Sequence, residues 1–335
     1  MSDRIRVLVV DDSATIRDRI CSVLAGAEFQ VACAEEADEA RDQVRAFDPH
    51  VLLLDLELPG EDGLTFLAGL MVGKPRPVII YSATAPIGSE RAVRALELGA
   101  LEVIEKREEL DEAHLLELLR TAAASRPRRY SLPPPQPTPL PLDNLLADRV
   151  FAVGASTGGP AAISSLLHRL PRGSMPGLIV PHMPSAFLAE FVKRLRRTCA
   201  VDVRQAHDGE ELVKGLVLLA PGDRHLILER DGQRLYARVT SDPPVNRARP
   251  SVDLLFSSVA HALGGKAAGV LLTGVGSDGA LGLLRMRQAG ALTIAEDMAT
   301  ASVFQLPKAA IDKGAASRVL PLDRIPLALK EWMET

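Results

Sequence analysis

The stretch Val150-Phe151-Ala152-Val153-Gly154-Ala155-Ser156-Thr157-Gly158-Gly159-Pro160 decides how the second half of the chain folds. Its apolar run predicts a buried strand, its small residues predict a tight turn around Ser156, and a helical pattern follows Pro160. Glycines let the backbone approach closely here, and the first free N–H groups of the helix point toward the turn. Ser156 is therefore a candidate nucleophile. The alternative is that Ser156 and Thr157 only cap the helix.

Length and composition limit what the protein is. A chain of 335 residues is long for one hydrophobic core and predicts two domains. The net charge of −4 argues against a nucleic-acid partner, because such proteins carry a concentrated basic surface. Cys21, Cys33 and Cys199 form no Cys-x-x-Cys pair, which argues against a zinc site and fits a reducing cytoplasm. Because we find no signal-peptide pattern and no apolar run of about 18 residues, we expect a cytoplasmic protein that does not insert into a membrane.

The first half alternates apolar runs with amphipathic stretches, which predicts a parallel sheet with crossover helices. The five predicted strands are residues 6–10, 29–33, 51–54, 77–81 and 101–105. Polar residues follow four of these strands at their carboxyl ends, namely Asp11, Asp12, Asp55, Ser82 and Lys106. Ligands bind at this edge of an open α/β sheet, so we expect the five side chains to form one site.

Three crowded carboxylates repel one another unless a cation is present, and a set of oxygen ligands suits Mg²⁺. A carboxylate at such a site can attack a phosphoryl group and become an aspartyl phosphate, whose oxygens Lys106 and Ser82 would hold. The alternative is that each acid merely ends a strand or caps the next helix.

Residues 5–120 resemble the receiver domain of two-component response regulators. The resemblance rests on Asp11-Asp12, on the stretch from Leu54 to Gly63, and on Ser82 and Lys106. It implies a flavodoxin-like domain over residues 1–122, with Asp55 phosphorylated, Mg²⁺ bound by Asp11, Asp12 and Asp55, and Ser82 and Lys106 as switch residues. Two positions depart from the pattern: Val103 replaces an aromatic switch residue and Arg107 replaces a proline. They put the relay of the signal in question, but not the phosphorylation itself.

The segment 123–147 is rich in proline, which disfavours helix and sheet and favours an extended spacer. We therefore predict a linker between two domains. A docking site for a proline-binding domain is the alternative.

In the second half, a serine, a histidine and an aspartate each follow a predicted strand. Ser156 follows residues 150–153, His182 follows 177–180, and Asp278 follows 267–272. The carboxyl edge of the sheet would bring them together as a Ser-His-Asp triad, in which the imidazole takes the serine proton and the carboxylate holds the imidazole. His168, His207, His225 and His261 are weaker base candidates, and Asp297 competes with Asp278 for the third position.

An oxyanion hole needs backbone N–H groups, and the turn at Thr157 and Gly158 can supply them. A rival hypothesis is a dinucleotide site, because glycine-rich first turns also bind pyrophosphate. That motif requires Gly-x-Gly-x-x-Gly and an acid after the next strand. This chain has Gly-x-x-x-Gly-Gly, and its next strand ends at His182.

The second half resembles the catalytic domain of the chemotaxis protein-glutamate methylesterases. The matching pieces, in order, are 154–159, 182–184, 220–222, 249–253 and 273–280. The resemblance implies a Rossmann-like serine esterase domain over residues 148–335, with Ser156 as nucleophile, His182 as base and Asp278 as the orienting acid. Val275 replaces a methionine common in the family, and a backbone contribution to the oxyanion hole would survive that change.

The resemblance extends from end to end of the chain and implies an α/β protein with two doubly wound parallel-sheet domains. It implies hydrolysis of glutamyl methyl esters, and deamidation of glutamines, on the cytoplasmic helices of chemoreceptors. A chemotaxis histidine kinase would be the phosphodonor, and we expect no cofactor for the esterase. The alternative is a non-enzymatic response regulator whose second half is a partner-binding module.

Overall fold

The structure is a computed structural model that describes residues 4–25, 28–83, 85–86, 88–107, 109–127 and 149–334. The chain divides between Ser131 and Leu132 into two compact units, and each is described below by itself. Most of the predicted linker 123–147 lies outside the described residues, which leave out 128–148. None of the helices in the described ranges is long and apolar enough to cross a membrane.

The first unit is built on a five-stranded parallel sheet with the order β2-β1-β3-β4-β5. Its strands are β1 Ile5–Val10, β2 Phe29–Ala34, β3 Val51–Leu54, β4 Val78–Ser82 and β5 Glu102–Glu105. Its helices are α1 Ala14–Leu24, α2 Ala37–Ala46, α3 Gly63–Val72, α4 Glu90–Leu98 and α5 Glu112–Ala123. The central strands β3 and β4 are buried along their whole length, because helices cover both faces of such a sheet. All five predicted strands are confirmed to within a residue at each end.

The second unit contains a seven-stranded parallel sheet with the order β15-β14-β13-β6-β7-β10-β8. Its strands are β6 Val150–Ala155, β7 Gly177–Pro181, β8 Asp202–Gln205, β10 Leu216–Leu219, β13 Ala267–Leu271, β14 Leu292–Glu296 and β15 Arg318–Leu320. Its helices are α6 Gly159–Leu167, α7 Ser185–Thr198, α8 Val252–Leu263, α9 Ala280–Gln288, α10 Gln305–Asp312 and α11 Ile325–Glu334. The predicted α/β class with parallel sheets is confirmed in both units.

The strand order places β6 between β7 and β13. Every residue of β6 is buried, and Gly154 has no room for a side chain, because a Cβ there would lie 2.3 Å from Cγ1 of Val252. This contact brings the first turn of α8 against the end of β6. The loops after β6, β7 and β13 therefore meet beside the start of α8.

A three-stranded antiparallel sheet in the second unit was not predicted. It has the order β11-β12-β9, with β9 Glu210–Glu211, β11 His225–Asp231 and β12 Arg234–Thr240. Its buried residues, Leu226, Leu228, Leu235 and Ala237, join the core that includes α8. The signal was in the sequence: a two-residue turn with Gly232 at positive φ connects β11 to β12, and residues 234–238 of β12 alternate between less buried and buried positions.

Candidate active site

The structure brings the three predicted triad positions to adjacent strand ends. Ser156 directly follows β6, and its N–H donates to the carbonyl of Thr273, just past β13, at 3.0 Å. His182 directly follows β7, and its N–H donates to the carbonyl of Ala155 at 2.8 Å. Asp278 lies in the loop between β13 and α9. These backbone bonds hold the serine between the loops that carry the histidine and the aspartate.

His182 and Asp278 form a hydrogen-bonded pair. The Nε2 of His182 lies 3.0 Å from Oδ2 of Asp278 and must be the donor, because a carboxylate only accepts. Nδ1 is then the nitrogen that can accept a proton in the neutral ring. Among the described residues, the Ser156 hydroxyl makes no hydrogen bond. Catalytic hydrogen bonds often tighten only when substrate is bound.

The carboxylate of Asp278 is held by the start of α8. Its Oδ1 accepts from the Ser251 hydroxyl at 2.8 Å and from Asp253 N at 3.0 Å, and its Oδ2 accepts from Val252 N at 2.8 Å. Burial raises the pKa of Asp278, but the hydrogen bonds from His182 and these two amides outweigh it, so the pKa falls below its ordinary value. The carboxylate is thereby kept ionised and fixed in place.

A second buried carboxylate lies beside the first. Asp253 accepts from Gly282 N at 2.6 Å through Oδ1 and from Asn246 Nδ2 at 2.7 Å through Oδ2. Burial raises the pKa of Asp253, and the neighbouring charge of Asp278 adds to the rise. Asp253 lies in the first turn of α8, which holds Asp278, and thus connects that turn to α9 and to the loop before α8.

Thr273 holds the turn that carries Ser156 through hydrogen bonds. The Thr273 hydroxyl donates to the carbonyl of Thr157 at 3.0 Å and accepts from Val303 N at 2.9 Å. Its N–H donates to Oε2 of Glu296, a fully buried side chain at the end of β14. Gly274 permits this approach, because a Cβ there would lie 2.5 Å from the Cβ of Ser156.

Three backbone N–H groups at the site are available to a ligand. Within the described residues, the N–H groups of Thr157, Gly158 and Val275 donate to no protein acceptor. Gly158 has φ of 76° and is the N-cap of α6, so the end of that helix with free N–H groups faces the turn. Val275 as a whole is 38 % exposed. This arrangement can stabilise an oxyanion beside Ser156.

The competing residues have other roles. His225 is fully buried, accepting from Ser251 N at Nδ1 and bonding the Pro243 carbonyl through Nε2. The carboxylate of Asp297 accepts from the N–H and the hydroxyl of Thr300, both at 2.9 Å. His168 bonds the carbonyl of Ser164 one helical turn earlier, and His207 and His261 are exposed. None of these contacts connects a competitor to Ser156 or to His182.

The first unit carries the predicted acidic site. Asp11, Asp12 and Asp55 can each place a carboxylate oxygen within 4.8 Å of the others. The Nζ of Lys106 lies 2.7 Å from Oδ2 of Asp11 and 2.5 Å from Oδ2 of Asp55. Burial raises the pKa of Asp11, and the nearby charge of Asp55 adds to this rise, although Lys106 opposes it. Burial lowers the pKa of Lys106, but the two carboxylates outweigh it and the pKa rises.

The acidic site fits a divalent cation, because its donors are all oxygen and its crowded carboxylates gain from a positive neighbour. Ser82 is buried at the end of β4, and its carbonyl accepts from Lys106 N at 3.1 Å. Of the two departures, Val103 is buried in β5, whereas Arg107 is exposed and pairs with Glu105 at 3.2 Å.

Comparison with known proteins covers nearly the whole chain. The family model described as CheB methylesterase matches residues 151–329, and the model described as response regulator receiver domain matches residues 7–120. A Chromohalobacter salexigens protein named protein-glutamate methylesterase/protein-glutamine glutaminase is 44 % identical over 99 % of this chain and 97 % of its own length. The chain belongs to the CheB methylesterase family.

Two other methylesterase relatives support the same family assignment. A Salmonella typhimurium protein of the same name is 43 % identical over 96 % of this chain and 95 % of its own. The crystal structure of the Thermotoga maritima CheB methylesterase catalytic domain is 36 % identical, covers 56 % of this chain and 99 % of its own, and has a TM-score of 0.54. The glycine-rich turn before α6 is thus part of a methylesterase-family domain, and the dinucleotide hypothesis has no support.

Sequence reasoning missed the residues of this methylesterase-family chain that position the triad candidates. Ser251 and Asp253 lie within the matched stretch 249–253 and had no assigned role. Thr273 lies just past β13 and Glu296 ends the neighbouring β14, and a polar residue at a strand end is the signal that identified the triad candidates. Their roles come from contacts between strands far apart in sequence, and no local pattern specifies such contacts.

Proposed function

We propose that the protein is a phosphorylation-controlled serine hydrolase that hydrolyses glutamate methyl esters, and deamidates glutamines, on chemoreceptor cytoplasmic helices. The observation that carries the proposal is the placement of Ser156 between the loops of the hydrogen-bonded pair His182 and Asp278. The names of the full-length relatives support the reaction.

The proposed reaction begins with the Ser156 hydroxyl. Nδ1 of His182 takes its proton as the oxygen attacks the ester carbonyl, and Asp278 stabilises the imidazolium that forms. The negative charge that develops on the carbonyl oxygen is held by the N–H groups of Thr157 and Val275, with Gly158 at the start of α6 beside them. Val275 stands where a methionine is common in the family, and its backbone N–H is present with either side chain.

The attack produces a tetrahedral intermediate, which then breaks down. The imidazolium gives its proton to the leaving oxygen, methanol departs, and the glutamyl group remains on Ser156 as an ester. Water, deprotonated by His182, hydrolyses that ester, restores the serine and leaves a glutamate carboxylate. A glutamine side chain follows the same course with ammonia as the leaving group.

The first unit supplies the control. Asp11, Asp12 and Asp55 would hold Mg²⁺, which neutralises charge on the phosphoryl group during transfer. The carboxylate of Asp55 would accept the phosphoryl group from a chemotaxis histidine kinase, and Lys106 and Ser82 would bind its oxygens. The three carboxylate oxygens within 4.8 Å of one another support a cation site, and the contact of Lys106 with two of these carboxylates places a positive charge where phosphoryl oxygens would bind.

Covalent labelling tests the nucleophile. A fluorophosphonate transfers its phosphonyl group to an activated serine with loss of fluoride, and intact mass spectrometry counts the adducts. We expect one adduct on the full chain, located at Ser156, and none on Ser156→Ala. Ser277→Ala, which changes an exposed serine near Asp278, should label like the original chain.

An unlabelled full chain would instead favour the alternative, a response regulator whose second unit only binds partners. Labelling that persists in Ser156→Ala would remove Ser156 from the proposed role.

A further inference from the structure

A tight turn before α8 holds two residues other than glycine at positive φ. Val245 and Ala248 exchange both backbone hydrogen bonds, at 3.0 and 2.8 Å, and the central residues Asn246 and Arg247 have φ of 52° and 64°. Two-residue turns with both central φ positive favour Asn followed by Gly. Asn246, at the first central position, follows this preference. Arg247 occupies the second central position, where glycine would adopt the positive φ without strain.

The arginine is unfavourable for the turn itself. A Cβ at positive φ crowds the following carbonyl oxygen, and a long side chain cannot compensate by bonding its own backbone, as Asn can. Residues held in this region of φ/ψ concentrate at functional sites, where the surrounding structure enforces them. We therefore expect the side chain of Arg247 to act outside the turn.

The turn is fixed to the candidate active site by two consecutive hydrogen bonds. Asn246 Nδ2 donates to Asp253 Oδ2 at 2.7 Å, and Asp253 N donates to Asp278 Oδ1 at 3.0 Å. Asp253 is itself held by Gly282 N at 2.6 Å. Arg247 thus sits on a rigid turn whose position is set by the residues that orient His182.

The guanidinium of Arg247 is available to a ligand. Its neighbour Arg249 is used within the loop, where Nη1 contacts the carbonyls of Ser241 and Asp242 at 3.4 and 3.3 Å. Arg247 is exposed and, in the part of the chain that the structure describes, makes no ion pair and no side-chain hydrogen bond. A planar guanidinium on a rigid support suits a carboxylate.

We propose that Arg247 is a specificity-determining residue that binds a substrate carboxylate, three or four residues from the ester on the same face of the substrate helix. This rests on the proposed function. Side chains at that spacing are neighbours on a helix.

The test pairs two enzymes with two peptides. One helical peptide carries a single glutamyl methyl ester with Glu three and four residues to either side, and the other carries Ala at those positions. The full chain is compared with Arg247→Gly, which removes the guanidinium and relieves the turn, so its thermal midpoint should equal or exceed that of the original chain. Arg247→Lys keeps the charge and loses the planar fork.

We expect the original chain to prefer the Glu peptide by about fivefold in kcat/KM at low salt, mainly through KM, because exposed ion pairs contribute on this scale. Added salt should reduce the preference. Arg247→Gly should show no preference while hydrolysing the Ala peptide at the original rate, and Arg247→Lys should retain part of the preference.

Equal preference in Arg247→Gly and the original chain would overturn the inference, as would equal loss on both peptides. Failure of the original chain on both peptides, with Mg²⁺ and acetyl phosphate present, would instead refute the proposed function, and this inference with it.

Discussion

At the scale of single residues, the candidate site depends on two carboxylates with opposite shifts in pKa. The pKa of Asp278 is lowered despite burial, because four donors point at its oxygens, whereas the pKa of neighbouring Asp253 is raised by burial and by that charge. Asp278 can therefore stabilise a protonated His182, while Asp253 holds the surrounding backbone in position. The roles of the two acids follow from their hydrogen-bond partners.

The lowered pKa of Asp278 predicts how stability depends on pH. A carboxylate with a folded pKa below its unfolded value stabilises the fold at pH above the unfolded value, near 3.9, and that contribution is lost as pH falls through the folded pKa. We expect Asp278→Asn to lower the free energy of unfolding by about 2 kcal/mol at pH 7, because buried donors lose a charged acceptor.

Urea unfolding at pH 7 and near pH 3 measures this difference. The gap between the original chain and Asp278→Asn should shrink at the lower pH. A gap of the same size at both values would contradict the assignment of an ionised, tightly bound Asp278.

The acidic cluster of the first unit predicts a metal-dependent modification. Incubation with a small phosphodonor such as acetyl phosphate should form an acid-stable, base-labile phosphate on Asp55, because an acyl phosphate hydrolyses readily in base. Chelation of Mg²⁺ should abolish it, since Asp11, Asp12 and Asp55 would lose the cation that offsets their repulsion.

Asp55→Asn should remain unmodified. Asp62→Asn, in the same loop but paired with Arg91 at 2.5 Å, is the matched control and should be phosphorylated. Phosphorylation of Asp55→Asn at the original rate would refute this assignment.

At the scale of elements, three loops at neighbouring strand ends form the candidate site, and their close approach depends on glycine. Gly274 brings the loop after β13 against the turn after β6, with no room for a methyl group beside Ser156. Hydrogen bonds from Ser156 and Thr273 then join the loop to the turn. The positions of the loops are thus set by backbone contacts as much as by the side chains.

Gly274→Ala should separate the two loops. We expect a loss of about 1–3 kcal/mol in unfolding free energy and a fall of roughly a hundredfold in kcat, because small displacements of a nucleophile are costly. Gly173→Ala is the control for stability: its φ of 79° is strained, but nothing lies within 4 Å of the added Cβ. Rates of ester hydrolysis and urea unfolding measure both effects, and an unchanged kcat in Gly274→Ala would contradict the packing argument.

The elements of the parallel sheets could be predicted because buried strands appear as short apolar runs and each polar residue at a run's end marks the edge where ligands bind. The convergence of Ser156, His182 and Asp278 followed from that rule. The sheet of β9, β11 and β12 was missed although the first part of β12 shows the alternation of a half-buried strand. The supporting hydrogen bonds of Ser251, Asp253, Thr273 and Glu296 could not be predicted, because they depend on which strands are neighbours.

At the scale of the whole molecule, the chain joins a response regulator receiver unit to a methylesterase-family unit. We predict that the unphosphorylated first unit lowers the rate of hydrolysis at Ser156 and that phosphorylation of Asp55 relieves this inhibition, because two sites on one chain are coupled only if one state of the first unit favours one state of the second.

A fragment of residues 148–335 tests this coupling. It should hydrolyse receptor esters about tenfold faster than the unphosphorylated full chain, and a phosphodonor should speed the full chain but not the fragment. The fragment's labelling by a fluorophosphonate serves as the check that it is folded. Equal rates for fragment and full chain, with no gain on phosphorylation, would refute the coupling and leave the hydrolase itself untouched.

The most direct measurement is the release of methanol from methylated chemoreceptor by the full chain, with Mg²⁺ and with or without acetyl phosphate. We predict methanol release that rises with the phosphodonor, is absent in Ser156→Ala, and persists without the rise in Asp55→Asn. Methanol release by Ser156→Ala at the rate of the original chain would contradict the central claim that Ser156 is the nucleophile of a methylesterase.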